Sequence, residues 1–148
     1  MRIAISEDED FNNQVAFWEA NLERSLKGHK GQAALRELEA ALLALPIKRL
    51  IANELENEQG EVCAVGALAK FKGKENPMLG DSFGDFDELS VNEDDIERVT
   101  VQLAQDLGLP RMVAQAVVYE NDDDWPAFMT PEQRYNKILR WVRSQLRQ

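Results

Sequence analysis

Apolar residues recur at helical spacing along most of this chain. Phe11, Val15, Trp18, Leu22 and Leu26 follow one another every three or four residues, which predicts one face of an amphipathic helix. Ser6-Glu7-Asp8-Glu9 precedes them with the form of a capping box, in which a hydroxyl and a carboxylate take up free amide donors. Gly28 is a stop signal. "HKGQAALRELEAALLALP" predicts a second helix with the stripe Leu35, Leu38, Leu42 and Leu45, and Pro46 ends it or begins the next element.

The next stretch, "IKRLIANELENEQGEVCAVGALAKF", is ambiguous. Ile47, Leu50 and Ile51 suggest a short helix, with Gln59-Gly60 as a turn. A β-hairpin about that turn is the alternative, since Val62 and Val65 suit strands. Helices are preferred, because Ala64, Ala67, Leu68 and Ala69 favour or tolerate helix and alternation is poor. Lys72 to Glu88 holds three Gly, one Pro and no stable period, the signature of a long loop. Asn92-Glu93-Asp94-Asp95 predicts a cap with acids at the positive end of a helix. Ile96, Val99 and Leu103 point inward on it, and Gly108 closes it. Pro110 opens a helix with Met112, Val113, Ala116 and Val117. Thr130-Pro131-Glu132-Gln133 opens the last, whose inner face is Tyr135, Ile138, Leu139, Val142 and Leu146, with Arg134, Lys137, Arg140, Arg143 and Arg147 mostly elsewhere. The expected fold is mainly α: one compact domain over residues 1–148, a bundle of about five to six helices with a long acidic loop near residues 72–90.

Composition sharpens this picture. A chain of 148 residues, 44% apolar and 30% charged, is of a size that buries roughly 70% of its unfolded surface. One cysteine cannot make an internal disulfide, and "MRIAISEDED" turns acidic where a signal peptide would be apolar. No apolar run approaches the roughly 20 residues of a membrane helix. Cytoplasm is the expected compartment. The net charge of −10 opposes binding to a phosphate backbone, whose affinity comes from Lys and Arg. It suits a basic protein partner. The charge is uneven: nine acids and no base lie between Glu75 and Glu97, but five bases and one acid lie between Pro131 and Gln148.

Candidate chemistry is sparse. Cys63 stands in "GEVCAVGALAKFKG". A cysteine nucleophile needs thiolate, supplied by a neighbouring His or a helix N-terminus. His29, the single histidine, sits in "KGHKG", an expected exposed turn. A structural zinc site lacks its ligands. Cys63 is therefore read as a small buried hydrophobe, beside a Gly66 that lets another backbone approach. "GDSFGDFDE" and "ENDDDW" resemble calcium loops at a glance, but neither has the EF-hand spacing. No catalytic, cofactor-binding or metal-binding set is identified. "VQLAQDLGLPRMVAQAVVYEN" has the pattern of a helix-turn-helix, with Ala104 at the helix contact and Gly108 in the turn. Its second helix offers one base, Arg111, and ends in Glu120, Asp122, Asp123 and Asp124, which would repel phosphates.

Three stretches in order resemble a family of small bacterial and phage proteins of uncharacterised function. They are "P-x-K-R-L-I" with "G-E-V-C-A-x-G-A" after a Leu-rich helix, "LAQDLGLPRMVAQAVVYEND", and "T-P-E-x-R" followed by a Trp-Val pair. The resemblance spans most of residues 31 to 147 and carries no catalytic residues. It implies a prophage or mobile-element setting and an accessory role. The function expected on these grounds is non-catalytic binding of a protein with a basic surface, as an inhibitor or modulator. Candidate contacts are Asp81, Asp85, Asp87, Glu88, Asp94, Asp95, Asp122, Asp123 and Asp124. A DNA-binding regulator and a Cys63-dependent enzyme are the alternatives.

Overall fold

The computed structural model describes residues 7–74, 93–124 and 127–147, with side chains from residue 13 in the first stretch and from residue 95 in the second. Six helices lie within them: α1 (Glu7–Lys27), α2 (His29–Ala44), α3 (Ala64–Phe71), α4 (Glu93–Asp106), α5 (Arg111–Asp122) and α6 (Pro131–Gln145). Among the described residues no strand forms, and the fold is a mainly α bundle of the expected kind. The Ser6 and Asn92 caps, and the loop centred on residue 80, lie outside the described residues.

Two helices make most of the packing. α2 lies against α1, α3 and α6, and α5 lies against α1, α3, α4 and α6. Both are rich in apolar residues at helical spacing. Leu35, Leu38 and Leu42 on α2 are fully buried, as are Val113 and Val117 on α5. Val65 and Leu68 of α3 and Ile138 and Val142 of α6 complete one contiguous core. α3 is short, and Ala64 through Ala69 are all buried. Small side chains let it sit between the larger helices.

Residues 45–63 depart from the preferred helical expectation. Ile47 is exposed, and no helix forms over Ile47 to Ile51. The backbone donors there are spent on other segments. Leu50 N donates to Pro131 O at 3.1 Å and Ile51 N to Val62 O at 3.0 Å. The hairpin alternative survives only as one antiparallel bridge, Glu56 with Val62. Asn57 makes the turn between them: its Oδ1 accepts from Gln59 N at 3.1 Å and Glu61 N at 2.9 Å, an Asx-type device.

The ends of the helices are tied by side chains. Thr130 and Gln133 form the reciprocal capping box on α6, with Pro131 behind the cap. Gln32, buried, donates from Nε2 to Leu26 O at 2.7 Å and Gln145 O at 2.9 Å, and its Oε1 accepts from Arg147 N at 2.7 Å. That one amide joins α1, α2 and the end of α6. The corner between α1 and α2 depends on a residue the sequence pattern did not single out. α1 ends before Gly28, whose φ of −72° is open to any residue. Gly31 lies so close to α1 that a Cβ there would stand 1.9 Å from the Ser25 carbonyl oxygen. Gly31→Ala must therefore open the corner. We expect it to lose at least the roughly 1–3 kcal/mol of an overpacked site, measured by urea unfolding. Gly28→Ala, whose Cβ would meet Arg24 O at 3.3 Å, is expected to lose less.

Candidate functional site

Cys63 is the N-cap of α3. Its backbone is extended, and its Sγ accepts from Gly66 N at 3.4 Å. The side chain is buried, and burial, helped by nearby Asp122 and offset in part by the Gly66 amide, pushes the thiol up to about 12. A thiol so protonated is a poor nucleophile. Gly66 has the role expected of it: a Cβ there would lie 2.4 Å from the Leu55 carbonyl oxygen, and Cys63 N donates to that same oxygen at 3.2 Å. His29 is exposed, but it is the first residue of α2 rather than part of a turn. It is not hydrogen-bonded to Cys63.

A buried polar junction centres on Asn121, near the end of α5. Its side chain is 2% exposed. Oδ1 accepts from Ala64 N, the first amide of α3, at 2.9 Å. Nδ2 donates to Ile51 O and to Asp122 Oδ1, each at 2.9 Å. The Asn121 carbonyl accepts from Arg134, which also donates to Asp123 O at 3.2 Å. Helix ends leave amides and carbonyls without intrahelical partners. Asn121 supplies the missing acceptor to α3, and Arg134 supplies donors to α5, where a cation also suits the helix dipole. Arg134 is buried on the inner side of α6, not on its outer face as the spacing suggested.

This junction employs three of the nine candidate acids. Asp122 Oδ1 accepts from Asn53 N at 3.0 Å, where Asn53 holds a left-handed φ of 62°. Asp123 pairs with Lys137 at 3.5 Å and Asp124 with Arg134 at 2.7 Å. Asp95 pairs with Arg98 on the outside of α4. Asp81, Asp85, Asp87 and Glu88 lie outside the described residues, as does the Asp94 side chain. Neither Asn121 nor Arg134 stands out in the sequence as half of a pair, since they lie 13 residues apart and only the fold brings them together.

The α4–α5 corner turns at Leu107 and Gly108, and Ala104 is fully buried at the contact. Val113, Ala114, Ala116, Val117 and Val118 are buried in turn. The outward stripe of α5 is Arg111, Gln115 and Tyr119, with one base among them. A separate, largely apolar cleft of ≈ 350 Å³ lies among Leu45, Pro46, Ile47 and Val62. Its charged rim is already matched within the chain: Arg49 pairs with Glu61 at 3.3 Å and Glu132 at 3.2 Å, and Lys70 pairs with Glu56 at 3.2 Å.

α1 differs from every other helix. Residues 13–20 are all exposed. They include Phe17 at 69%, Trp18 at 45% and Val15 at 37%. The stripe expected to face inward therefore does so only at its far end, where Leu22 is half-buried and Leu26 buried. Burial on α1 is confined to its second half.

No protein-family model, curated protein or solved structure matches this chain.

Two expectations follow from the buried groups. Asn121→Ala strands the Ala64 amide and the Ile51 carbonyl, and a stranded buried polar group costs about 1–3 kcal/mol. We expect a loss of that order or more in urea unfolding, and a non-additive loss when it is combined with Arg134→Met in a double-mutant cycle. For Cys63, iodoacetamide should react slowly with the native protein up to about pH 10, since a free thiol titrates near 8.5. Reaction should become fast on unfolding, as mass spectrometry would record.

Proposed function

We propose that this protein is a non-catalytic accessory factor that acts by binding another protein. On this reading it works in the cytoplasm as an inhibitor or modulator, of the prophage or mobile-element kind that the resemblance implies. The observation that carries the proposal is the exposed half of α1. Isolated exposed apolar residues are ordinary. Val15, Phe17 and Trp18 are instead close neighbours on a stretch of helix exposed on every side. The burial of Cys63 and its raised pKa weigh against a thiol enzyme. The internal bonds of Asp122, Asp123 and Asp124 move the binding surface away from the end of α5. Acidic charge still contributes, through α1 itself.

A helix-turn-helix regulator is the second reading, favoured by the outward row of Arg111, Gln115 and Tyr119 after a tight turn. It ranks lower because one base on a chain of net charge −10 supplies little attraction to phosphates. A photo-crosslinking residue placed at exposed Ala16 separates the two readings. In the source cell it should yield a defined protein adduct, whereas the same residue at exposed Glu58 should not. Absence of an adduct at both positions, together with duplex DNA binding that is lost in Arg111→Ala, would reverse the ranking.

A further inference from the structure

We infer that α1 docks lengthwise into an apolar groove on the partner whose rim carries Lys and Arg. This rests on the reading of α1 as the binding element and adds the chemistry of what it binds. At about 100° of turn per residue, Val15, Trp18 and Leu22 share one narrow strip of the helix. That strip continues to Leu26, which is buried in the bundle's own core. It is thus a single apolar seam, covered at its C-terminal end and open from Trp18 backward. Helices that dock into grooves present anchors at this spacing, and tryptophan is the residue most enriched among dominant interface contacts.

Charge decides what covers the seam. Residues 7–23 hold six acids and no base. Glu19 and Glu23 are exposed on this helix, and by helical spacing Glu19 borders the seam. The bases of this helix, Arg24 and Lys27, fall on the opposite side of it from Val15 and Trp18 by the same spacing. Lys27 Nζ moreover donates to Gln145 O at 2.8 Å. A second copy of the chain would bring no base to the seam against Glu19, since its own Arg24 and Lys27 lie on the far side of the same helix. An anionic lipid surface would bring none either. A protein groove with a basic rim is the complement.

The test uses the full chain and two synthetic helical peptides of about four turns, one of Leu and Lys, the other of Leu and Glu. Labelled-peptide anisotropy should show binding to the Leu/Lys peptide alone. The Val15→Ser/Trp18→Ser variant should bind at least about tenfold more weakly. Both residues are exposed, so circular dichroism and the urea midpoint should not change. Glu19→Gln/Glu23→Gln should weaken binding and flatten its salt dependence. Glu54→Gln/Glu58→Gln, which changes exposed acids elsewhere, should leave it intact. Equal binding by the seam variant and the wild type overturns the inference. So does binding of the Leu/Glu peptide, binding to phosphatidylglycerol vesicles, or a dimer of the 16.8 kDa chain in sedimentation. A protein adduct at Ala16 with no peptide binding would remove the basic groove and leave the protein-binding proposal standing.

Discussion

The carboxamide of Asn121 closes the backbone of three segments at once. It accepts the first amide of α3, donates to the extended stretch at Ile51, and steadies Asp122, which in turn holds the Asn53 amide. Asn is suited to the place because its two ends accept and donate together. An aspartate would lose the donor, and a leucine would lose both. Arg134 secures the same junction from α6 by taking the carbonyls left free where α5 ends. Without these two side chains, the start of α3 and the end of α5 would bury unpaired polar groups. The core could not then bring α3 against α5.

That junction also explains how the charged residues of this region are used. Asp122, Asp123 and Asp124 look, in a row, like an acidic patch. Each instead has a partner within the chain: a backbone amide, Lys137 or Arg134. Lys72 behaves similarly just past the C-terminal end of α4, donating to Leu107 O at 2.6 Å while pairing with Glu37 at 2.7 Å. Cys63 belongs to the same scheme. Its sulfur is a cap acceptor in a close-packed place, where Gly66 admits the Leu55 carbonyl. Cys63 and the Asp122–Asp124 run, which resemble chemistry in the sequence, serve to join helix ends.

α1 follows a different logic. Its seam is continuous in sequence, but the bundle covers only the C-terminal part of it. α1 packs against α2 and α5, and along the seam Leu26 is buried and Leu22 half-buried. Exposing aromatic side chains to water opposes the hydrophobic effect, and nothing in the chain's own core requires Trp18 to be exposed. A partner that buried the open part would extend the packing already made by Leu22 and Leu26.

Apolar periodicity was enough to establish the helical class and the later helices. The capping box at Thr130 was legible because both of its bonds join residues three apart in sequence. The close approach at Gly66 was legible because small residues cluster around it. The rest was decided by contacts distant in sequence. Leu50 and Ile51 lost a helix because Pro131 and Val62 offered their amides other acceptors. The helix stops at Gly28 as read, but the close approach at Gly31 was not legible, since only the relative placement of α1 and α2 brings the Ser25 carbonyl so near. Arg134 stood at a polar position of α6, and the end of α5 drew it inside. The seam of α1 was written plainly in its spacing, yet spacing states only that a face is apolar. How much of that face the protein itself covers depends on how its other helices pack against it, and that is a property of the tertiary structure.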